Sequence, residues 1–297
     1  CLVLLGEVIS NAYQQSQLNA GIFAPEFVSI GDLFAGAIIP GLILVAGYMA
    51  YLIFIAVTRP EAAPPAKPSL DDDQSESLAI ALLKGLLPPI ALMVAVLGSI
   101  LGGLATPTEA ASVGAIGAIL LALFKRSLNL KVLHAVAIDT TKVTSMVYLI
   151  LVGATIFSSV FRGFGGEELI ENLLTNMPGG VIGATLVVML LIFFLGFILD
   201  FIEITFMVVP IVGPVLLSLG LDPIWLGIMI TVNLQTSFLT PPFGFALFYL
   251  RGVAPKEVTT QHIYRGVAPF VLIQVVGLGL LWLFPAIVTI VPDLIPN

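Results

Sequence analysis

The sequence predicts an all-α protein that crosses a membrane several times. Hydrophobic residues make up 59% of the 297 residues and charged residues only 10%, and the mean hydropathy is +1.12, outside the range of soluble domains. Several uncharged runs also reach the roughly 20 residues that a helix needs to cross a bilayer core. These runs are 33–57, 85–108, 143–161, 172–199, 204–221, 223–250 and 266–292.

Composition excludes several other classes of protein. The single cysteine, Cys1, cannot form an internal disulfide, and the two histidines, His134 and His262, are far apart and suggest no zinc or iron site. The net charge of -7 argues against nucleic acid as a partner. The opening CLVLLGEVIS has neither the basic region nor the cleavage site of a signal peptide, so we expect this sequence to be the C-terminal portion of a longer protein.

The chain divides around one polar stretch, 59–84, which is rich in proline and aspartate and is typical of a linker. A short pattern, GAIIP at 36–40, resembles GVAP at 266–269, and we expect the two spans that follow to run in opposite directions. Inverted repeats of this kind are typical of secondary transporters. We therefore interpret 1–58 as the end of a first inverted repeat and 85–297 as a second.

Basic residues in the short connections predict the orientation. One connection contains Lys125, Arg126, Lys131 and Lys142, and another contains Arg251, Lys256 and Arg265. This assigns both connections to the cytoplasm. The linker is then cytoplasmic and the C-terminus periplasmic. This requires two spans within 85–124, with a turn near 103–109, and no net crossing by 181–220.

A segment without net crossing is either a re-entrant hairpin or two full spans. The second arm of 181–220 contains Pro210 and Pro214, each of which removes a backbone donor, and we expect this arm to be interrupted. The turn, 196–203, carries two carboxylates, which are costly inside a bilayer and indicate a functional role if the turn is deep. We favour the re-entrant hairpin.

A broken helix is predicted over 223–250. Pro241 and Pro242 cannot donate the backbone hydrogen bonds that a continuous helix would direct to the carbonyls of Ser237 and Phe238. At membrane depth an unsatisfied carbonyl is costly, so water, a neighbouring helix or an ion must replace the lost donors.

The side chains around the proline pair suit a hard cation. They are neutral oxygen donors, which favour Na⁺ over thiophilic metals: Asn233, Gln235, Thr236, Ser237 and Thr240. Gly244 permits close approach of a backbone or substrate, and the half-helix after Pro242 would turn its N-terminal N–H groups toward a carboxylate. The alternative is a simple proline kink whose carbonyls are satisfied locally.

These motifs together resemble the large membrane subunit of tripartite ATP-independent periplasmic (TRAP) transporters, the DctM family. The resemblance covers essentially the whole chain and rests on FAGAIIPGLIL at 34–44, GGLATPTEAAS at 102–112, GFILDF at 196–201, LDPIWLGIMITVNLQ at 221–235 and LTPPFGFALF at 239–248. The phrase SFLTPPFGFALFYLRGVAP is most similar to the branch associated with mannitol or chloroaromatic compounds.

The resemblance implies an elevator-type secondary transporter of the bacterial inner membrane. It implies Na⁺ as coupling ion, no enzymatic activity, a small four-helix membrane subunit as partner, and an organic acid delivered by a periplasmic binding protein. By the same resemblance Gly196 and Asp200 lie at the tip of the second hairpin and join Ser237, Phe238, Thr240 and Asn233 as Na⁺-binding candidates. Thr236, Pro241, Pro242 and Gly244 are the candidates for substrate binding, and the first-repeat half of the site is expected upstream of Cys1.

Two other classes of function remain as alternatives. An intramembrane aspartyl hydrolase needs two membrane-embedded aspartates, whereas GFILD supplies only Asp200. A non-transporting scaffold or channel subunit would need no binding protein and would show no substrate-dependent Na⁺ binding.

Overall fold

The computed structural model describes residues 2–62, 78–241, 244–255 and 257–294, and every regular element in these ranges is helical. The helices are α1 (Leu2–Asn19), α2 (Ile30–Thr58), α3 (Leu78–Leu101), α4 (Pro107–Phe124), α5 (Leu130–Gly163), α6 (Gly166–Thr175), α7 (Gly180–Leu195), α8 (Phe201–Ser218), α9 (Pro223–Leu239), α10 (Phe245–Val253), α11 (Thr260–Leu283) and α12 (Ala286–Leu294).

The helices have the lengths and composition of membrane spans. Among the described residues α2, α4, α5, α8 and α11 are long and apolar enough to cross a bilayer, and α7 and α9 are shorter apolar helices. A helix satisfies its backbone groups internally, which the hydrocarbon core of a membrane demands. The prediction of an all-α polytopic membrane protein is confirmed.

The chain forms two compact units, Val45–Thr140 and a larger one made of Cys1–Leu44 and Thr141–Asn297. Within the smaller unit, α3 and α4 pack as an antiparallel pair, with Gly117 against Leu92. Their connection, 102–106, overlaps the predicted turn near 103–109. Thr106 caps α4, and the Glu109 carboxylate accepts the Thr106 N–H at 2.8 Å, so the connection ends in a capping box.

Only the edges of the predicted linker, 59–84, can be compared with the structure. Pro60–Ala62 form a short 3₁₀ turn, and α3 already begins at Leu78, so the last seven residues of the predicted stretch are helical. The acidic and proline-rich centre, 63–77, lies outside the described residues.

In the larger unit, α1 packs against α8 and α9, and small residues set the spacing. A Cβ atom at Gly213 of α8 would lie 3.2 Å from the Cβ of Ala12 in α1, and one at Gly227 of α9 would lie 2.6 Å from the Leu33 side chain in α2. Without side chains at these glycines the helix backbones approach closely, as is typical of membrane bundles.

The segment 181–220 forms a hairpin in which α7 and α8 are joined by the turn 196–200. We expected the second arm to be interrupted at its prolines. This prediction is wrong in detail, because Pro210 and Pro214 both lie inside a helix. The irregularity is a π turn at Ile204–Val208, where the Val209 N–H bonds the Ile204 carbonyl five residues back. This wider turn just before Pro210 gives the chain room for a ring that would clash in a regular helix.

The broken helix is confirmed. Helix α9 ends at Leu239, Thr240 is extended with φ −87° and ψ 126°, and helix begins again at Phe245. The break coincides with the proline pair, as the missing donors and the restricted geometry before each proline require.

Candidate functional site

The hairpin turn and the broken helix meet at Gly196 and Ser237. A Cβ atom at Gly196 would lie 2.8 Å from the Cβ of Ser237, and the Ser237 hydroxyl would be closer still. Both residues are buried, and Gly196 has helical dihedral angles of −64° and −6°. Glycine is therefore needed here for space and not for backbone conformation, and its absent side chain lets the turn rest directly on α9.

One turn earlier on α9, Asn233 ties the same two elements together. Its Nδ2 donates a hydrogen bond of 2.7 Å to the backbone carbonyl of Met189 in α7, and Asn233 is only 4% exposed. The amide donor is thus used to hold the hairpin arm, while the amide oxygen remains as an acceptor. Met189 was not predicted as part of the site, because a backbone carbonyl leaves no signal in a sequence.

The hydroxyl groups of α9 all donate to their own helix. Thr236 donates to the Val232 carbonyl at 2.7 Å, and Ser237 donates to the Leu234 carbonyl at 2.8 Å. Thr240 donates to the Thr236 carbonyl at 2.7 Å. Because each proton is already engaged, each oxygen presents lone pairs to its surroundings, which is the polarity that a cation requires.

The carbonyls that the prolines were expected to free are not simply open. The Ser237 carbonyl accepts the Thr240 N–H at 3.1 Å, since the last turn of α9 tightens to an i to i+3 bond. The Phe238 carbonyl faces Gly244, where a Cβ atom would lie only 2.6 Å from it, and Phe238 has a partner within the structure. The prediction of freed carbonyls is wrong for Ser237, and this part of the break follows the alternative of local satisfaction.

Gly244 brings the chain back onto the end of α9 after the break. Its N–H bonds the Thr240 carbonyl at 3.1 Å, and a Cβ atom there would lie 3.1 Å from that same oxygen. Gly244 is also the N-cap of α10 and supplies no side-chain acceptor to the first N–H groups of that helix. Those groups form a place where an anion is favoured.

The other predicted site residues have separate positions. Asp200 caps the second hairpin arm: its Oδ1 accepts the Phe201 N–H at 2.7 Å, and the Glu203 carboxylate accepts the Asp200 N–H at 3.3 Å. No hydrogen bond joins Asp200 to α9 among the residues that the structure describes. Pro241 lies half-buried at the break, and Pro242 lies outside the described residues.

An apolar cavity of about 370 Å³ adjoins the site between α7, α9 and α11. Its polar lining residues are Asn233 and Thr236, and the remaining lining is aliphatic, aromatic or methionine, including Phe193 and Trp282. The sequence did not predict this cavity, because it depends on how three helices pack.

Trp225, near the N-terminal end of α9, anchors this helix to α11. The indole Nε1 donates to the Leu281 carbonyl of α11 at 2.9 Å, and the Trp225 ring packs edge-on against Trp282 at 5.7 Å. Trp225 is 6% exposed. The half of the site on α9 is therefore carried by a helix fixed to both the hairpin and α11.

A hairpin resting on a broken helix, inside a bundle of membrane spans, defines a membrane transport protein. Comparison with known families agrees: the family described as "Tripartite ATP-independent periplasmic transporter, DctM component" matches residues 20–287. This chain belongs to the DctM family of TRAP transporter large permeases, which are transport permeases and not enzymes. The alternative of an intramembrane hydrolase is set aside.

Three relatives illustrate the similarity. The chain is 30% identical to the sialic acid TRAP transporter permease SiaT of Haemophilus influenzae over 93% of its own length and 43% of the relative. It is 31% identical to the C4-dicarboxylate TRAP transporter large permease DctM of Pseudomonas aeruginosa, over 89% of this chain and 60% of the relative. It is 28% identical to the ectoine TRAP transporter large permease TeaC of Halomonas elongata, over 90% and 60% respectively.

Two facts follow from these relatives. The chain spans about half of their length, between 43% and 60% for the three proteins. Their names refer to sialic acid, C4-dicarboxylates and ectoine, so the expected placement in the mannitol or chloroaromatic branch receives no support. The expectation of a multi-pass membrane protein from a bacterial transporter family is confirmed.

Proposed function

We propose that this chain is part of the large membrane subunit of a Na⁺-coupled transporter that imports an organic acid across the bacterial inner membrane. The observation that carries the proposal is the contact of Gly196 with Ser237. It joins a hairpin turn to a helix break, and oxygen-rich backbone at such a junction is where transporters bind ions and substrates.

The coupling ion in this proposal is Na⁺, held by neutral oxygens. The candidates on α9 are Asn233, Ser237, Phe238 and Thr240, and those on the hairpin turn are Gly196 and Asp200. The engaged hydroxyl protons of Ser237 and Thr240 support this choice, because they leave the lone pairs of both oxygens available to accept. Gly196 can contribute only its backbone carbonyl, and Asp200 would have to share its carboxylate with the cap of α8.

The substrate in this proposal carries a carboxylate. The uncapped N–H groups at the start of α10 would receive it, and Thr236, Pro241, Pro242 and Gly244 would surround it. Two of the relatives are named for sialic acid and C4-dicarboxylates, which are carboxylic acids. The apolar cavity beside Thr236 does not suit a charged group, and this supports the break as the proposed position of the acid.

The proposed transport movement is of the elevator type, with α7 and α8 as a re-entrant hairpin. At 1.5 Å per residue, the 16 residues of α7 span about 24 Å, less than the bilayer core of about 30 Å. We propose two inverted repeats, the first ending at residue 58 and the second covering 85–297, with a cytoplasmic linker and a periplasmic C-terminus.

The proposed partners are a small four-helix membrane subunit and a periplasmic binding protein that delivers the acid. The description of the family as tripartite supports both partners. Because the chain spans only about half of its relatives, the activity belongs to the whole protein.

The test uses the full-length protein with its small subunit in proteoliposomes. Binding protein is added outside with a radiolabelled acid, either sialic acid or a C4-dicarboxylate, and an inward Na⁺ gradient is compared with an equal K⁺ gradient. We expect uptake only with Na⁺ and binding protein together. Uptake that is equal under the two gradients contradicts Na⁺ coupling, and uptake without binding protein favours a channel subunit.

A further inference from the structure

The turn between α4 and α5, within the smaller unit, carries a concentrated positive charge. Lys125, Arg126, Lys131 and His134 lie within ten residues, and no acidic residue occurs from 110 to 138. All four side chains are exposed, and none forms an ion pair with a described residue. We call Lys125, Arg126 and Lys131 the basic turn.

Hydrogen bonds fix the shape of the basic turn. The Arg126 N–H bonds the Leu123 carbonyl at 2.9 Å, and the Ser127 N–H bonds the Ala122 carbonyl at 3.0 Å, which closes the end of α4. Asn129, directly before α5, caps this helix, with its Oδ1 accepting the Val132 N–H at 2.9 Å. The charged side chains therefore project from a defined backbone and not from a loose loop.

Arg126 occupies a position that glycine would fill more easily. Its φ is +52°, and it is the one described residue other than glycine with positive φ. A helix end of this geometry favours glycine, because a Cβ atom is strained there. Arg126 therefore places a cation at this position in spite of the backbone strain.

Lys131 is also unfavourably placed for the helix that carries it. It lies in the first turn of α5, at the positive end of the helix dipole, and that turn contains no acidic residue. A lysine at a helix N-terminus is repelled by the dipole unless an anion is bound nearby. The backbone strain at Arg126 and the dipole repulsion at Lys131 each cost free energy. Binding of one anion near both residues would offset these two costs.

The surroundings of the basic turn indicate where this anion lies. Helix α4, an apolar candidate span, ends at Phe124 directly before the turn. Phe124 is 83% exposed and Leu130 is 84% exposed, and in the sequence they lie on either side of Lys125 and Arg126. Apolar side chains at the end of a span, next to lysine and arginine, are typical of the interface between hydrocarbon and headgroups.

We propose that the basic turn binds the phosphate of an anionic phospholipid, with Phe124 and Leu130 set against its acyl chains. Lys125, Arg126 and Lys131 supply the charge, and the N-terminal end of α5 adds its dipole. The charge complementarity and the exposed apolar residues favour a lipid over a soluble anion, since a soluble anion would gain nothing from Phe124 and Leu130.

The test measures lipid retention by the full-length protein with its small subunit. The purified complex is mixed with phosphatidylglycerol or phosphatidylcholine in detergent, and bound lipid is counted by native mass spectrometry while the melting temperature is recorded. The variant carries Lys125→Gln, Arg126→Gln and Lys131→Gln together. Arg162→Gln, which removes a cation already paired with Glu167 at 2.9 Å, is the control.

We expect phosphatidylglycerol to raise the melting temperature of the wild type and of Arg162→Gln, and the triple variant to retain at least several-fold less of that lipid. Arg126→Gly guards against misfolding: it relieves the backbone strain, yet should also retain less phosphatidylglycerol. Equal retention by wild type and triple variant overturns the proposal. So does an equal rise in melting temperature with inorganic phosphate alone, which would show a soluble-anion site.

Discussion

Gly196 of the hairpin turn and Ser237 of the broken helix occupy adjoining positions, with only 2.8 Å between the Cβ site of the glycine and the Cβ of the serine. The two residues are 41 positions apart in the sequence. Their contact means that a movement of the hairpin turn changes the surroundings of the oxygens at the helix break. The proposed ion binding at the break would therefore depend on the position of the hairpin turn.

Gly196→Ala tests this link. The new methyl group would meet Ser237, so we expect the turn to shift, the free energy of unfolding to fall by about 1–3 kcal/mol, and the apparent Na⁺ affinity to fall. The measurements are thermal unfolding and Na⁺-dependent uptake by the full-length complex. The matched control is Gly266→Ala in α11, where a Cβ atom has no neighbour within 4 Å. Equal behaviour of the two variants would show that the contact is unimportant.

Gly244→Ala tests the close return of the chain after the break. Its Cβ would lie 2.6 Å from the Phe238 carbonyl oxygen, and backbone cannot move aside as easily as a side chain. We expect loss of uptake together with a lower melting temperature. The control is Gly252→Ala in α10, where the space around the glycine is open. This variant should retain activity, and it should stabilise the helix by about 1 kcal/mol because alanine has a higher helix propensity than glycine. Normal uptake by Gly244→Ala would mean that the break is loosely defined.

Asn233→Ala tests the bond between α9 and α7. Removing the amide deletes a buried hydrogen bond between the two helices, which is worth about 0.5–1.5 kcal/mol, because the Met189 carbonyl keeps its helical donor within α7. We also expect a lower apparent Na⁺ affinity, because an oxygen of the proposed site is lost. Gln235→Ala, on the exposed side of the same helix, is the control. If Asn233→Ala lowers stability but leaves the Na⁺ dependence of uptake unchanged, Asn233 is structural only.

Thr240→Ala and Thr240→Ser separate the hydroxyl from the rest of the side chain. Alanine removes the oxygen that donates to Thr236, whereas serine keeps it. We expect alanine to raise the Na⁺ concentration for half-maximal uptake about tenfold, which corresponds to ~1.4 kcal/mol, and serine to remain near wild type. Uptake titrations with Na⁺ at constant ionic strength provide the measurement. Identical titrations for the two variants would remove Thr240 from the ion site.

Asp200→Cys tests whether the hairpin is re-entrant. In a background without other cysteines, membrane-impermeant maleimides are added to either side of oriented vesicles. A re-entrant turn that moves with the site should be labelled from the side to which the site opens, and substrate with Na⁺ should change the rate. Labelling from the cytoplasm alone, unaffected by substrate, would favour two full spans.

Some features of the site were predictable because their causes are local. Pro241 removes a backbone donor wherever it stands, so the end of α9 near Leu239 follows from the sequence. The Thr106 cap of α4 is likewise local, since hydroxyl, proline and glutamate lie within four residues. The hydroxyls of Thr236 and Ser237 could be identified as oxygens near the break for the same reason.

Other features could not be predicted, because they depend on distant residues or on small adjustments of the backbone. The Ser237 carbonyl was expected to be free, but a tighter last turn gives it the Thr240 N–H. Pro210 was expected to interrupt α8, but a π turn absorbs the ring within the helix. In the first case the backbone forms an i to i+3 hydrogen bond, and in the second an i to i+5 hydrogen bond. A sequence pattern does not distinguish either of these from the regular i to i+4 bond.

The sequence by itself determined that this protein is a bundle of membrane helices with a hairpin and a proline-broken helix, because hydropathy and missing backbone donors act over short distances. The tertiary structure decided that the hairpin turn rests on Ser237, that Asn233 holds α7, and that a cavity opens between α7, α9 and α11. These relations join residues tens of positions apart, and packing between helices fixes them through the shapes of many side chains at once.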